Sequence, residues 1–361
     1  MKNLRILSLL IAGSGLSSAL PIKAQPITIF GEDKPIIQAV WHRVADYSST
    51  LRSVESAEIS PDGRLILSAS KYGYNLMLWR VEDGSLVWEK VLDAEIEAVT
   101  FSPDGKLIAA GDEAYLVTIY DLEGNPVKVL AHDAGFDGIS WSPDGKYLAA
   151  GSEAGAVLIW NTDTWEKKTL EAGTTVNSLE FTKDSKKLIA AGKGRVPGEG
   201  DSFGMVKSWD AANNWKVLFD IRAQEHSVKS VRLSPDEKTF AVSGAGNQLQ
   251  IFSFPDAREL ITIDLPAYLE AVAYHPEGNF LFAGGQGETM YVFNAATYEQ
   301  VATYPIRRIE YIDFSKDGRL MAIGQEDSGL LSLYLIHSQK YDGNYSKLSK
   351  QILKNKDLQK K

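Results

Sequence analysis

Five acidic side chains recur at one position of an internal repeat: Glu55, Glu97, Asp137, Glu270 and Glu310. The two other copies of that position hold Asn177 and Lys229. If rotational repetition gathers the seven positions around an axis, the carboxylates form a ring. Like charges held together raise one another's pKa and favour a bound cation. Every candidate ligand is an oxygen donor, so the metal expected is calcium rather than zinc. The same ring could receive a basic group from a protein or peptide partner. It could equally be a hydrated acidic rim, with Lys229 neutralising part of it.

Other residues that could do chemistry are fewer. The histidines are His42, His132, His226, His275 and His337, and no two have metal-ligand spacing. A G-x-S-x-G nucleophile elbow is absent beyond residue 24, so no catalytic residue is assigned. A glycine-rich stretch, residues 193–204, contains Arg195, Glu199, Asp201 and Phe203. It lacks the G-x-x-x-x-G-K-[ST] pattern of a phosphate loop and reads as a long surface loop, a common place for a binding element. Arg222, Arg307 and Arg308 lie just upstream of the ring positions, in segments expected to be connecting loops that could pair with the acids.

The elements that position the ring follow from a repeated turn of the Ser-Pro-Asp-Gly type. Its acidic residues are Asp62, Asp104, Asp144, Asp184, Asp236, Glu277 and Asp317, separated by 42, 40, 40, 52, 41 and 40 residues. Proline presets φ in such a turn, aspartate suits the next position, and glycine accepts left-handed backbone. An apolar residue lies three, five and eight places before each acid, as in Phe101, Val99 and Ile96. Alternation of β-branched and aromatic residues reads as a strand. A second strand follows each turn, a third ends in an aromatic such as Trp79 or Trp160, and a fourth precedes the next copy. Seven units of four strands predict an all-β, seven-bladed propeller. The last unit lacks a fourth strand, and residues 40–44 are placed to supply it from the N-terminal side, closing the ring.

From these residues the chain resembles the WD-repeat β-propeller family over residues 36–337. The best match runs from Ala131-His132 through Phe136, Ile139, Trp141 and the turn at 142–145 to Trp160-Asn161. Only Asp121 and Asp210 supply the aspartate of the family's dipeptide, only His132 stands at its histidine position, and Ala154 replaces its structural aspartate. The resemblance therefore implies the fold, and a divergent, bacterial-type member that lacks most of the family's buried His–Ser–Asp–Trp network. His132 is expected to be a structural hydrogen-bonding residue.

Residues 1–24 read as a secretory signal, with Lys2 and Arg5 ahead of an apolar stretch, 6–20. That stretch is broken by Gly13, Ser14 and Gly15, so no transmembrane anchor is expected in the mature chain. With no cysteine in 361 residues there is no disulfide framework. The expected address is a bacterial periplasm or exterior. The chain carries −9, to which residues 1–24 contribute +3 and the basic tail 338–361 contributes +5, leaving −17 on 25–337. Such a body repels phosphate backbones, so nucleic acid is not an expected partner. These features point to a monomeric, exported, non-enzymatic scaffold that binds a protein or peptide on one propeller face. The alternative is a propeller hydrolase or lyase with an acidic metal site in the central channel.

Overall fold

The computed structural model describes residues 35–195 and 202–337. The predicted secretory segment 1–24 and tail 338–361 lie outside these residues. The described chain forms seven four-stranded antiparallel sheets. Six are built from consecutive strands; the seventh takes its outer strand, Ile36–Val44, from the other end of the chain. The seven-bladed propeller read from the repeat is therefore the observed fold.

Each predicted turn forms as its residue types dictate. In the first, Ser60 Oγ donates to Asp62 Oδ1 at 2.7 Å and accepts from the Leu65 amide at 2.9 Å. The residue after the acid is left-handed in every copy, including Ser185 (φ 60°) and Glu237 (φ 54°), which carry a Cβ where glycine would be unstrained. In the sixth copy His275 takes the serine's place, and its imidazole reaches the next blade's turn at Gly318 O, 2.9 Å away.

The core is a set of seams between neighbouring blades rather than a single centre. Leu67, Leu76 and Leu78 of the first blade meet Ile96, Phe101 and Ile108 of the second, and the other six seams repeat the pattern. The closing seam holds Val40 and Trp41 against Ile66, Trp79 and Val81. Trp41 Nε1 donates to Val81 O at 2.9 Å, and Arg43 donates to Asp83 O and Gly84 O at 2.6 and 2.7 Å. The closing strand thus fastens the last blade to the first.

Removing this strand exposes Leu330–His337 as an edge and strips three buried apolar side chains, Ile37, Val40 and Trp41, from the seams. Each contributes about 1.5–3 kcal/mol of burial. A chain beginning at Ser49 should melt at least roughly 5 °C below one beginning at Gln25 and aggregate on heating. Equal melting temperatures would show that closure does not depend on residues 36–44.

Candidate functional site

Every ring residue foreseen from the sequence occupies a β-bulge. In the first blade Val54 pairs with Ser70 and Ser56 with Ala69, so Glu55 has no partner in the second strand. The same slip recurs at Glu97, Asp137, Asn177, Lys229, Glu270 and Glu310. A bulge bends the strand and re-aims the extra side chain. All seven side chains line one central cavity of about 1180 Å³.

The cavity wall contains a second set that sequence reasoning missed. Nine places after each turn acid stand Lys71, Glu113, Glu153, Lys193, Ala245, Gln286 and Glu326. The first six line the same cavity or bond to its wall. Lys71 Nζ bonds Glu97 Oε1 at 2.8 Å and lies 3.6 Å from Glu95 Oε2. Lys229 Nζ lies 3.7 Å from Glu270 Oε2. Gln286 donates to both Glu270 and Glu310, at 3.3 and 3.4 Å. Lys71 and Lys229 thus each pair with an acid of the next blade.

Three other acids of the second and third blades have no such partner. Glu113, Asp137 and Glu153 place carboxylate oxygens within 4.8 Å of one another, and no ion pair to them occurs among the described residues. Room for Glu113 comes from Gly135, where a Cβ would stand 2.5 Å from its carboxylate oxygens. Burial, then the charge of Glu153, pushes the Glu113 carboxyl up to about 7. Burial, then the charges of Glu97 and Glu153, pushes Asp137 up to about 7. Glu55 rises to about 7 through burial and Glu97, and Glu310 to about 10 through burial and Glu270.

The five carboxylates expected to hold calcium do not converge on a single point. Lys71 sits against Glu97 and Lys229 against Glu270, and of the five only Asp137 belongs to the three-carboxylate group. Its other members, Glu113 and Glu153, come from the loops after the second strands.

The remaining foreseen residues are placed as follows. Residues 193–195 and 202–204 are strand rather than loop: Lys187–Arg195 and Ser202–Asp210 form an extended hairpin, with Arg195 opposite Ser202. Glu199 and Asp201 lie outside the described residues. The Phe203 ring is covered by the Arg222 guanidinium, 4.2 Å from its centroid. Arg222 is in the outer strand Lys216–Gln224, not in a connecting loop, and does not face the ring. Arg307 is exposed and gives its carbonyl to Gln325. Arg308 pairs with Asp327 at 3.1 Å and Glu326 at 3.6 Å and touches the ring only through Gln286. His132 bonds Asp133 at 2.8 Å, and its Nε2 is buried without a partner, so it does not enter a buried network.

Below the mouth, a third layer joins the blades. Glu58 accepts from the Phe101 amide, Glu180 from Leu233, and Asp313 from Ile59, at 3.2, 2.8 and 2.8 Å. Each bond crosses to the next blade. Arg232 donates to Ser178 Oγ and Tyr311 Oη, at 3.0 and 3.1 Å, in the same layer. Burial and the neighbouring Asp313 raise Glu58 to about 8.

Comparison with known proteins agrees with the fold. The family described as "WD domain, G-beta repeat" matches residues 124–161, one repeat unit including the closest sequence match noted above. The human "Serine-threonine kinase receptor-associated protein" is 28% identical over 130 residues, 35% of each chain. The mouse "Telomerase protein component 1" is 27% identical over 128 residues, 34% of this chain and 5% of its own. "Protein hir1" of Aspergillus terreus is 36% identical over 84 residues, 20% of this chain and 8% of its own. The aligned stretch thus spans about a third of the first of these relatives and far less of the others. The chain is a seven-bladed propeller, one unit of which, residues 124–161, matches the WD repeat. These relatives are eukaryotic and lend no support to the expected bacterial-type, exported character. No helix among the described residues is long and apolar enough to cross a membrane.

The raised carboxyls make stability depend on pH with a definite sign. A group whose folded pKa exceeds its unfolded value binds more protons when folded, so its stabilisation is present at low pH and is lost as pH rises. With ordinary values of 3.8–4.5 and folded values of about 7 for Glu55, Glu113 and Asp137, the loss falls between about pH 4.5 and 8. The melting temperature should drop by roughly 5 °C from pH 5 to pH 8. Glu113→Gln with Asp137→Asn should flatten that slope. A parent that melts higher at pH 8 than at pH 5 would contradict this.

Proposed function

We propose that this chain is a non-enzymatic binding scaffold, and that the acidic mouth of its channel receives a basic side chain from a protein or peptide partner. The observation that carries this reading is the convergence of Glu113, Asp137 and Glu153, to which no ion pair is made among the described residues. An inserted ammonium or guanidinium would lower the cost of ionising these carboxyls and form charge-assisted hydrogen bonds. Burial in the channel strengthens such a pair relative to one in water. WD-type propellers generally act as protein-interaction scaffolds, which favours the same reading. The proposed scaffold is monomeric and exported. Export rests on the charged and then apolar residues 1–24 and on the absence of cysteine.

A second reading is favoured by the same three carboxylates. They offer the oxygen donors that calcium takes, at a spacing one ion could bridge. A metal there would also be required by the alternative of a hydrolase or lyase.

Two measurements separate these readings. An array of basic peptides probed with the parent chain should show spots that depend on Lys or Arg and that Glu113→Gln/Glu153→Gln loses. Identical profiles for parent and double variant would overturn the polypeptide reading. Calcium at about 100 times its dissociation constant should add about 2.7 kcal/mol to stability if the trio holds the ion. A parent without a calcium response excludes the metal reading.

A further inference from the structure

The mouth face of the propeller is strongly uneven in its exposed apolar residues. It carries Tyr47, Leu51, Tyr74, Val91 and Tyr115, exposed by 53, 56, 36, 67 and 48%. All five belong to the first two blades or to the connection that leads into them. Among the described residues, the mouth-side loops of the third to sixth blades carry no exposed large apolar residue. The other large exposed apolar residues lie on outer strands or at the far ends of strands, as Val127, Val217, Leu260 and Ile36 do.

Two of the five stand at one repeat position. Tyr74 and Tyr115 each precede a third strand, and each gives its carbonyl to the chain leaving the outer strand, at Leu92 and His132. The same bond is made by Gly155, Asn247 and Gly329 in the third, fifth and seventh blades. All five residues have left-handed backbone, with φ 54° at Tyr74 and 69° at Tyr115. Glycine and asparagine accept that conformation readily; a bulky ring does so at a cost. At the opposite face Trp165, Trp215 and Tyr298 are also left-handed, but their rings pack into the seams. The rings of Tyr74 and Tyr115 remain exposed and gain nothing comparable inside the fold.

The two tyrosine loops are joined to the acidic mouth by one short segment. Leu92 bonds the Tyr74 carbonyl at 2.9 Å, and three residues later Glu95 O accepts from the Glu113 amide at 3.0 Å. Glu113, two residues before Tyr115, belongs to the unpaired acidic trio. Aromatic surface and a carboxyl cluster without an ion pair among the described residues therefore adjoin across the first three blades.

We infer that Tyr74 and Tyr115 form a docking track for an extended partner segment in which apolar residues flank an arginine or lysine. The flanking side chains lie on the tyrosine rings, and the basic group enters the Glu113–Asp137–Glu153 cluster. Tyrosine suits this role, because it supplies rigid amphipathic contact area at small entropic cost. Charge complementarity selects the basic residue and sets its register. This inference rests on the reading of the mouth as a receptor for a basic group, and adds the surface and the partner's apolar flanks.

The test uses the full chain and a fluorescein-labelled nonapeptide with a central arginine between leucines, followed by fluorescence anisotropy. A second peptide carries citrulline in place of arginine. Tyr74→Asn/Tyr115→Asn should weaken the arginine peptide by at least about tenfold while the melting temperature stays the same or rises. Tyr74→Phe/Tyr115→Phe should bind as the parent does. Asparagine variants that bind like the parent would overturn the track. So would a loss of binding accompanied by a lower melting temperature, which would assign the rings to folding. If Glu113→Gln/Glu153→Gln loses the arginine peptide while the tyrosine variants keep it, the track fails and the mouth reading stands. If the glutamine variant binds like the parent, or the parent prefers neither peptide, the mouth reading fails and the track with it.

Discussion

The bulge at the head of each innermost strand governs what the channel contains. Without it, strict alternation would place the residue after Val54 on the face opposite its neighbours, and Ala57 would leave the seam. With it, Val54 and Ala57, three places apart, are both buried between blades, and Glu55 is released from the ladder into the axis. Repetition in seven blades turns one local irregularity into a continuous wall of titratable groups. The apolar seams fix the blades' separation, and the closing strand fixes their number.

That wall is electrostatically divided. Lys71 and Lys229 reach the mouth from different blades, and each compensates the acids nearest to it. Deeper down, backbone amides of the next blade satisfy Glu58, Glu180 and Asp313, so those carboxylates hold the ring together. Among the described residues, Glu113, Asp137 and Glu153, between the second and third blades, have neither kind of partner. The proposed function rests on this difference: carboxylates that the fold pairs are structure, whereas the others are read as an incomplete site that a cationic group can complete. The exposed tyrosines occupy the adjoining sector, so the proposed recognition surface is confined to a few blades of a nearly symmetric fold.

The architecture was legible in the sequence because each unit repeats its turn chemistry and alternation at a nearly constant period. The closing strand was legible from what the last unit lacked. The ring at Glu55, Glu97, Asp137, Glu270 and Glu310 was visible as a column of the repeat, but the bulge beneath it was visible only as a broken alternation between apolar positions three apart. Lys71, Glu113 and Glu153 form a column of the same repeat, nine places after the turn acid, and were missed because they follow the second strand rather than begin the first. Arg222 was misplaced because the outer strand of the fourth blade, Lys216–Gln224, runs three or four residues longer than those of the other five blades built from consecutive strands. Which acids lack a partner could not be read at all. It depends on how far lysines reach between blades, and on Gly135 leaving space for a carboxylate from a neighbouring loop.

The central claim is that the mouth holds carboxyls kept protonated near neutrality by burial and by one another. Its most direct measurement is a carbon-13 titration of the side-chain carboxyls, with Glu113, Asp137 and Glu55 assigned by single Gln or Asn substitutions. The expected result is midpoints near 7 for all three, with the Glu113 and Asp137 midpoints falling when Glu153 is made neutral. Midpoints near the ordinary carboxylate range of about 4, unaffected by the neighbouring substitution, would contradict it.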